Sequence, residues 1–258
     1  MIDTHSHIYA EEFDEDRSEA LQRAWDAGVE LMLLPDIDSE SRDRMFRLAA
    51  EHPTRCRAMA GLHTTSVNDN PRWQEELDMV EQLLRDAPVP LCGVGEIGLD
   101  LYWSKDFYSV QREVLHAQLE LAIKYDKAVV IHTRDAYPEM LDAVSTYRGR
   151  GLRGVFHAYA SDVEMARKLM RNGEFAFGIG GVVTFKNSGM DKVVADMPVE
   201  LLLLETDSPY LTPVPYRGKR NEPAYVKYVR EKIAQLHNTT PEKIDAITTA
   251  TAKEIFCI

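Results

Sequence analysis

The sequence predicts a TIM (β/α)8 barrel, and three observations carry that prediction. The chain of 258 residues falls in the usual size range of that fold. Eight short β-rich runs alternate with amphipathic stretches from end to end, the pattern of a parallel sheet with crossover helices. Several runs are apolar without alternation, Leu201 to Leu204 and Ala128 to Ile131 among them, as strands covered on both faces must be.

Taken in order, strands are expected at 1–7, 29–35, 57–63, 91–97, 128–132, 154–157, 175–179 and 201–205. The stretches between them space apolar residues near 3.6, for example Leu77, Val80, Leu83 and Leu84, or Val114, Leu115, Leu119, Ala122 and Ile123. Gly28, Gly149, Gly151 and Gly173 fall between helix and strand, where a glycine C-cap ends a helix. After the eighth strand, 208–223 is Pro-rich and too long for a simple connection, which marks a functional loop. Two helices follow, one at 224–236 and one opened by Thr240 at the N-cap and Pro241 at N1. Both are expected to close the outer layer. No linker or low-complexity block divides the chain, so 1–258 is read as one domain.

Composition narrows the function classes. Hydrophobic residues make up 45% and charged residues 28%, an ordinary globular balance. No run approaches the roughly 18 apolar residues of a membrane helix, and Asp3, His5 and His7 leave no room for a secretory leader. Cys56, Cys92 and Cys257 are far apart and form no C-x-x-C pair, which reads as reduced thiols of a cytoplasmic protein. A net charge of −12 argues against a general basic surface for long duplex nucleic acid, while leaving room for a phosphate held locally by metal ions.

The chemistry gathers at strand ends. His5 and His7 alternate with Ser6, so in an extended run both imidazoles face one way. In a βα barrel the C-terminal strand ends converge on one mouth. His5, His7, His63, Glu96, His132, His157 and Asp207 all fall there, whereas His52, His116 and His237 do not. Taken singly each has a bland explanation as a strand-end or capping residue. Jointly, four imidazoles (His5, His7, His132, His157) and two carboxylates (Glu96, Asp207) make the donor set for two adjacent divalent cations with one carboxylate bridging.

Asp3-Thr-His-Ser-His7, Gly95-Glu-Ile-Gly-Leu-Asp100, Val130-Ile-His-Thr-Arg-Asp-Ala136, Val155-Phe-His157 and Leu204-Glu-Thr-Asp-Ser-Pro-Tyr-Leu-Thr-Pro213 together resemble the TatD family of metal-dependent deoxyribonucleases. The likeness spans the whole chain and extends to Arg217-Gly-Lys-Arg-Asn221 and Pro223 in the loop after the eighth strand. It implies a metallohydrolase barrel of the amidohydrolase superfamily, cytosolic, using Mg or Mn to cleave phosphodiesters from the 3′ end of DNA, while the four histidines by themselves suit Zn or Mn. It also implies metal-ligand roles for His5, His7, Glu96, His132, His157 and Asp207. Two motifs depart from the family pattern: Thr64 follows His63 where Pro is usual, and His157-Ala-Tyr-Ala-Ser161 replaces His-Cys-Phe-Ser-Gly.

The expected reaction is in-line attack on phosphorus by a hydroxide shared between two ions, with Glu96 between them, Asp207 able to take a proton, and His63 contacting phosphate or protonating the leaving oxygen. Arg134 is expected to clamp phosphate, with Arg217 and Lys105 also binding substrate and Lys186, Lys219 and Arg220 of lower weight. Tyr102, Trp103 and Tyr210 are read as stacking surfaces for unpaired bases. The expected substrate is DNA with single-stranded or frayed 3′ ends, and the expected state a monomer or weak oligomer. The same barrel and ligands also suit a lactone, an amide, a phosphotriester or a D-aminoacyl ester on tRNA, or a barrel retained only for binding.

Overall fold

The computed structural model describes residues 1–258. Its eight strands are β1 (Ile2–Asp3), β2 (Leu31–Leu34), β3 (Cys56–Ala60), β4 (Leu91–Asp100), β5 (Ala128–Arg134), β6 (Arg153–Phe156), β7 (Glu174–Ile179) and β8 (Leu202–Leu204). They form one sheet in sequence order with every pair parallel. The sheet closes where Thr4 N–H donates to Leu204 O (3.0 Å), Asp207 N–H to His5 O (2.9 Å) and His7 N–H to Ser208 O (2.8 Å). The result is the predicted TIM barrel.

One helix follows each strand: α1 (Arg17–Asp26), α2 (Ser39–Glu51), α3 (Trp73–Arg85), α4 (Tyr108–Lys124), α5 (Tyr137–Ser145), α6 (Val163–Met170), α7 (Met190–Asp196) and α8 (Val226–Leu236). Val114, Leu115, Leu119 and Ala122 of α4 are buried as their spacing predicts. A ninth helix, α9 (Pro241–Phe256), begins with the expected cap, the Thr240 hydroxyl accepting from Lys243 N–H. Its place differs from the expectation. Ala252, Ile255 and Phe256 join Ile2, Leu33, Met59, Val155 and Leu203 in the cluster inside the barrel, so α9 lies across the base instead of in the outer ring. Side chains from eight strands fill a barrel of this size, and α9 keeps water from the lowest of them.

Two further details differ. Gly28 ends α1 with a positive φ of 89°, as a C-cap glycine should, but Gly173 has no positive φ. A Cβ there would meet the Leu152 carbonyl oxygen at 2.5 Å, so this glycine serves close approach of the chain to β6. Strands β4 and β5 also outrun the expected ends, because Ile97 to Asp100 continue to pair with Ile131 to Arg134. Gly98 permits this: any Cβ at that position would run into the His132 carbonyl oxygen. No helix is long and apolar enough to cross a membrane, and all three cysteines are free.

Candidate metal centre

Alternation places the first two donors. Ser6 turns outward to the Ser208 hydroxyl (2.9 Å), so His5 and His7 both turn inward, with their Nε2 atoms 3.1 Å apart. Strand β4 contributes on the same period: Glu96, Gly98 and Asp100 share a face. The glycine between the carboxylates lets the His132 backbone lie against β4, and the His132 ring is bracketed by Glu96 Oε1 (3.1 Å, from Nδ1) and Asp100 Oδ2 (3.0 Å, from Nε2).

Glu96 divides the donors into two groups. Its Oε2 faces His5 Nε2 (3.2 Å) and His7 Nε2 (3.5 Å), and Asp207 Oδ1 lies 3.6 Å from both imidazoles. Its Oε1 faces His157 Nε2 (2.9 Å), His132 Nδ1 (3.1 Å) and His63 Nε2 (3.2 Å). These spacings match the donor–donor edge of about 3.3 Å for a tetrahedron with metal–ligand bonds of ~2.0 Å. The donor set thus fits divalent cations on either side of one buried carboxylate.

Hydrogen bonds at the far side of three rings, His7, His132 and His63, decide which of their nitrogens carry lone pairs. Tyr9 O–H donates to Pro35 O (2.6 Å), so it accepts from His7 Nδ1–H (2.8 Å) and frees His7 Nε2 for a cation. His132 donates Nε2–H to Asp100 and frees Nδ1. His63 is the reverse case. Thr65 N–H donates to its Nδ1 (3.2 Å), so the neutral ring carries its proton on Nε2, the atom that faces Glu96. His63 therefore holds a proton at the edge of the donor set, whereas His7 and His132 present lone pairs.

Burial pushes the Glu96 carboxyl up, but His157, His63 and His5 around it outweigh that and hold it well below the usual carboxylate range. Burial lowers His7, yet its bonds to Asp207 and Glu96 raise it to about 9. His157 rises for the same reason, Glu96 and Glu205 prevailing over burial. Burial chiefly, joined by the neighbouring His157 and His7, holds His5 low in spite of Glu96, and its Nδ1 has no partner. The buried carboxylates Glu96 and Asp207 are thus balanced by protons on neighbouring imidazoles, whose place a bound cation would take.

A TatD related DNase family profile matches residues 2–257. The chain belongs to this family. The TatD-family relatives include the uncharacterized metal-dependent hydrolase YabD of Bacillus subtilis, 37% identical and aligned over 100% of this chain and 99% of that protein. The uncharacterized metal-dependent hydrolase TatD of Mycobacterium tuberculosis is 34% identical, over 99% and 97%. Among solved structures, the TatD homologue YjjV of Escherichia coli superposes with a TM-score of 0.91 at 28% identity, covering 100% of this chain and 98% of that one.

In this TatD-family chain the centre lies at the floor of an open cleft of about 1200 Å³, lined also by Arg134, Trp103 and Tyr210. Trp103 (68% exposed) and Tyr210 (55%) present exposed rings, and the Arg134 guanidinium lies 3.6 Å above the ring of Tyr102 (52%) and 5.4 Å from that of Trp103. Lys105 and Arg217, both expected at the substrate, do not line the cleft. Lys105 projects to solvent from the β4 loop. Arg217 is drawn aside by Phe185, whose ring lies 3.9 Å beneath its guanidinium. Arg220 pairs with Asp16 (2.7 Å) and braces the β8 loop.

Sequence reasoning missed the groups that hold the donors. Asp100 lies four residues beyond Glu96 on the same face of β4, a signal present in the period. Glu205, fully buried, accepts from Ala158 N–H (2.6 Å) beside His157. Asp3 accepts from the Thr206 hydroxyl (2.6 Å) and amide (2.9 Å), joining the first and last strands beneath the site. Burial raises Asp3 to about 8. Tyr9 could not be found from sequence, because its partner Pro35 is on another strand's end.

Proposed function

We propose that this TatD-family metal-dependent hydrolase cleaves phosphodiester bonds at the 3′ end of single-stranded or frayed DNA. One observation carries the reading: a single buried carboxylate, Glu96, with lone-pair donors on one oxygen and a proton-bearing imidazole, His63 Nε2, among the donors on the other.

His5, His7 and Asp207 would hold one divalent ion and His132 and His157 a second, with Glu96 shared. Bound there, such ions activate water and offset charge on a phosphoryl group. The chain's own residues supply the rest. Asp207, held as a carboxylate mainly by its bond to His7 against the effect of burial, receives the proton that attacking water gives up. His63 Nε2–H delivers a proton to the departing sugar oxygen. Arg134, stacked on Tyr102 and without a carboxylate partner, orients the non-bridging oxygens. Trp103 and Tyr210 stack unpaired bases at the lip.

The experiment is hydrolysis by Mn- or Mg-loaded protein of 3′- and 5′-labelled single-stranded DNA and RNA, beside closed circular duplex, a lactone, an amide and a phosphotriester. Stepwise loss from the 3′ end of DNA is expected. Comparable rates on closed circles, or turnover confined to a non-phosphate substrate, would defeat the proposal.

A further inference from the structure

The chain carries a net charge of −12, yet 216–232 holds six cations, Arg217, Lys219, Arg220, Lys227, Arg230 and Lys232, against Glu222 and Glu231. Glu222 is engaged by Arg23 (2.6 Å) and Arg220 by Asp16 (2.7 Å). Arg217, Lys219 and Lys227 have no carboxylate within 4.0 Å. Each lies over an aromatic ring instead: Arg217 over Phe185 (3.9 Å), Lys219 near Tyr216 (5.6 Å) and Lys227 near Tyr228 (5.1 Å). The tyrosine rings are contiguous, since Tyr216 stacks on Tyr225 (4.5 Å, 7°) and Tyr228 lies 5.6 Å from Tyr216.

This strip is on the mouth side of the barrel. Phe185 follows β7, 216–219 belong to the loop after β8, and Lys227 opens α8. Val214 N–H donates to Thr184 Oγ1 (2.9 Å), tying the two loops together. The same β8 loop sends Tyr210 and Leu211 into the cleft lip, so the strip starts where the cleft ends. On the other flank, Glu11, Glu12, Asp38 and Glu40 line the cleft wall against one cation, Arg44, which is itself tied to Glu11 and Asp14. A polyanion whose end enters the cleft is repelled there and turned toward the β7–β8 rim.

We propose that this rim is an exosite for single-stranded nucleic acid, holding the segment that trails from an end seated in the cleft. The inference rests on the phosphodiesterase reading above. Cations without carboxylate partners, interleaved with half-buried rings, suit a backbone of phosphates with bases free to stack. A duplex hides those base faces. A bilayer surface calls for large apolar side chains projecting outward, whereas Phe185 is half-buried beneath Arg217.

The test is fluorescence anisotropy of labelled dT15 with the metal-free full chain and its Lys219→Glu/Lys227→Glu variant. Binding at least tenfold weaker is expected, with a salt slope shallower by about 1.4, at roughly 0.7 for each lost phosphate contact on a single strand. Turnover of bis(p-nitrophenyl) phosphate by the Mn-loaded variant should match the parent, because that substrate is too small to reach the strip. If the glutamates impair folding, Lys219→Gln/Lys227→Gln poses the same question with a smaller charge change. Unchanged affinity and slope in a variant of parental melting temperature overturn the exosite. So does displacement of dT15 by polyglutamate or by phosphatidylglycerol vesicles at equal charge, which would mark an acidic-protein or membrane surface. If dT15 binds through the strip but the loaded protein never cleaves it, the nuclease reading fails and the exosite stands. Equal cleavage of long DNA by parent and variant removes the exosite alone.

Discussion

At the scale of single residues, the far-side hydrogen bonds assign different tasks to His7, His63 and His132, three of the five histidines in one cluster. His63 and His132 both point at Glu96 Oε1, but only His63 accepts a backbone N–H on its other nitrogen. Replacing His63 with Ala should therefore lower turnover by roughly 10²–10⁴, the usual contribution of a general acid, while leaving Mn affinity near the parental value. Equal losses of affinity and turnover would make His63 a ligand instead. Asp100→Asn should do the opposite first, weakening metal binding by roughly 10–100-fold through His132; calorimetric titration reads this directly. Glu96→Ala should abolish metal-stimulated hydrolysis with an unchanged circular dichroism spectrum. The pH dependence follows from His7, which in the metal-free chain is raised to about 9 by Asp207 and Glu96 in spite of burial. A cation must displace that proton, so affinity should fall as pH drops from 9 to 7, with proton release measurable in buffers of different ionisation enthalpy.

At the scale of elements, the strand period made most of the site legible. His5, His7, Glu96 and Asp207 stand where alternation and strand ends put them, and Ser6 faces away as it must. The helical period located α3 and α4 but said nothing of where α9 goes. Its apolar residues fit an outer helix equally well, and only the exposed base of the barrel decides that Ile255 and Phe256 turn inward. Phe256→Ala should cost about 3–5 kcal/mol in chemical denaturation. A helix packed only in the outer ring at that end would lose far less. The ends of β4 and β5 were underestimated because Gly98 reads as a breaker in sequence, whereas in the barrel it removes the one Cβ that would block pairing with His132.

At the scale of the whole molecule, the β8 loop is anchored to α1 by a chain of charges: Arg220 to Asp16, Asp16 to Arg23, Arg23 to Glu222. Bonds from Arg220 chiefly, against slight burial, hold Asp16 at about 2 instead of 3.8. A carboxyl lowered on folding contributes stability that is complete above about pH 3.8 and is lost as pH falls through about 2. The denaturation midpoints of parent and Arg220→Met should accordingly differ at pH 7 and converge toward pH 2. The stacking of Arg220 on Phe13 keeps the convergence incomplete. Sequence alone determined the barrel, its eight βα units and the identity of the inward donors, because strand alternation and helix spacing are local properties. Tertiary structure alone decided which nitrogen is free on His7, His63 and His132, that Arg217 lies on Phe185 outside the cleft, and that α9 seals the base. Those outcomes depend on partners brought together across strands, such as Tyr9 with Pro35 and Asp3 with Thr206, and no local period records them. The opening His5 and His7 are therefore legible as a pair from the chain, and the free Nε2 of His7 only once the barrel has closed.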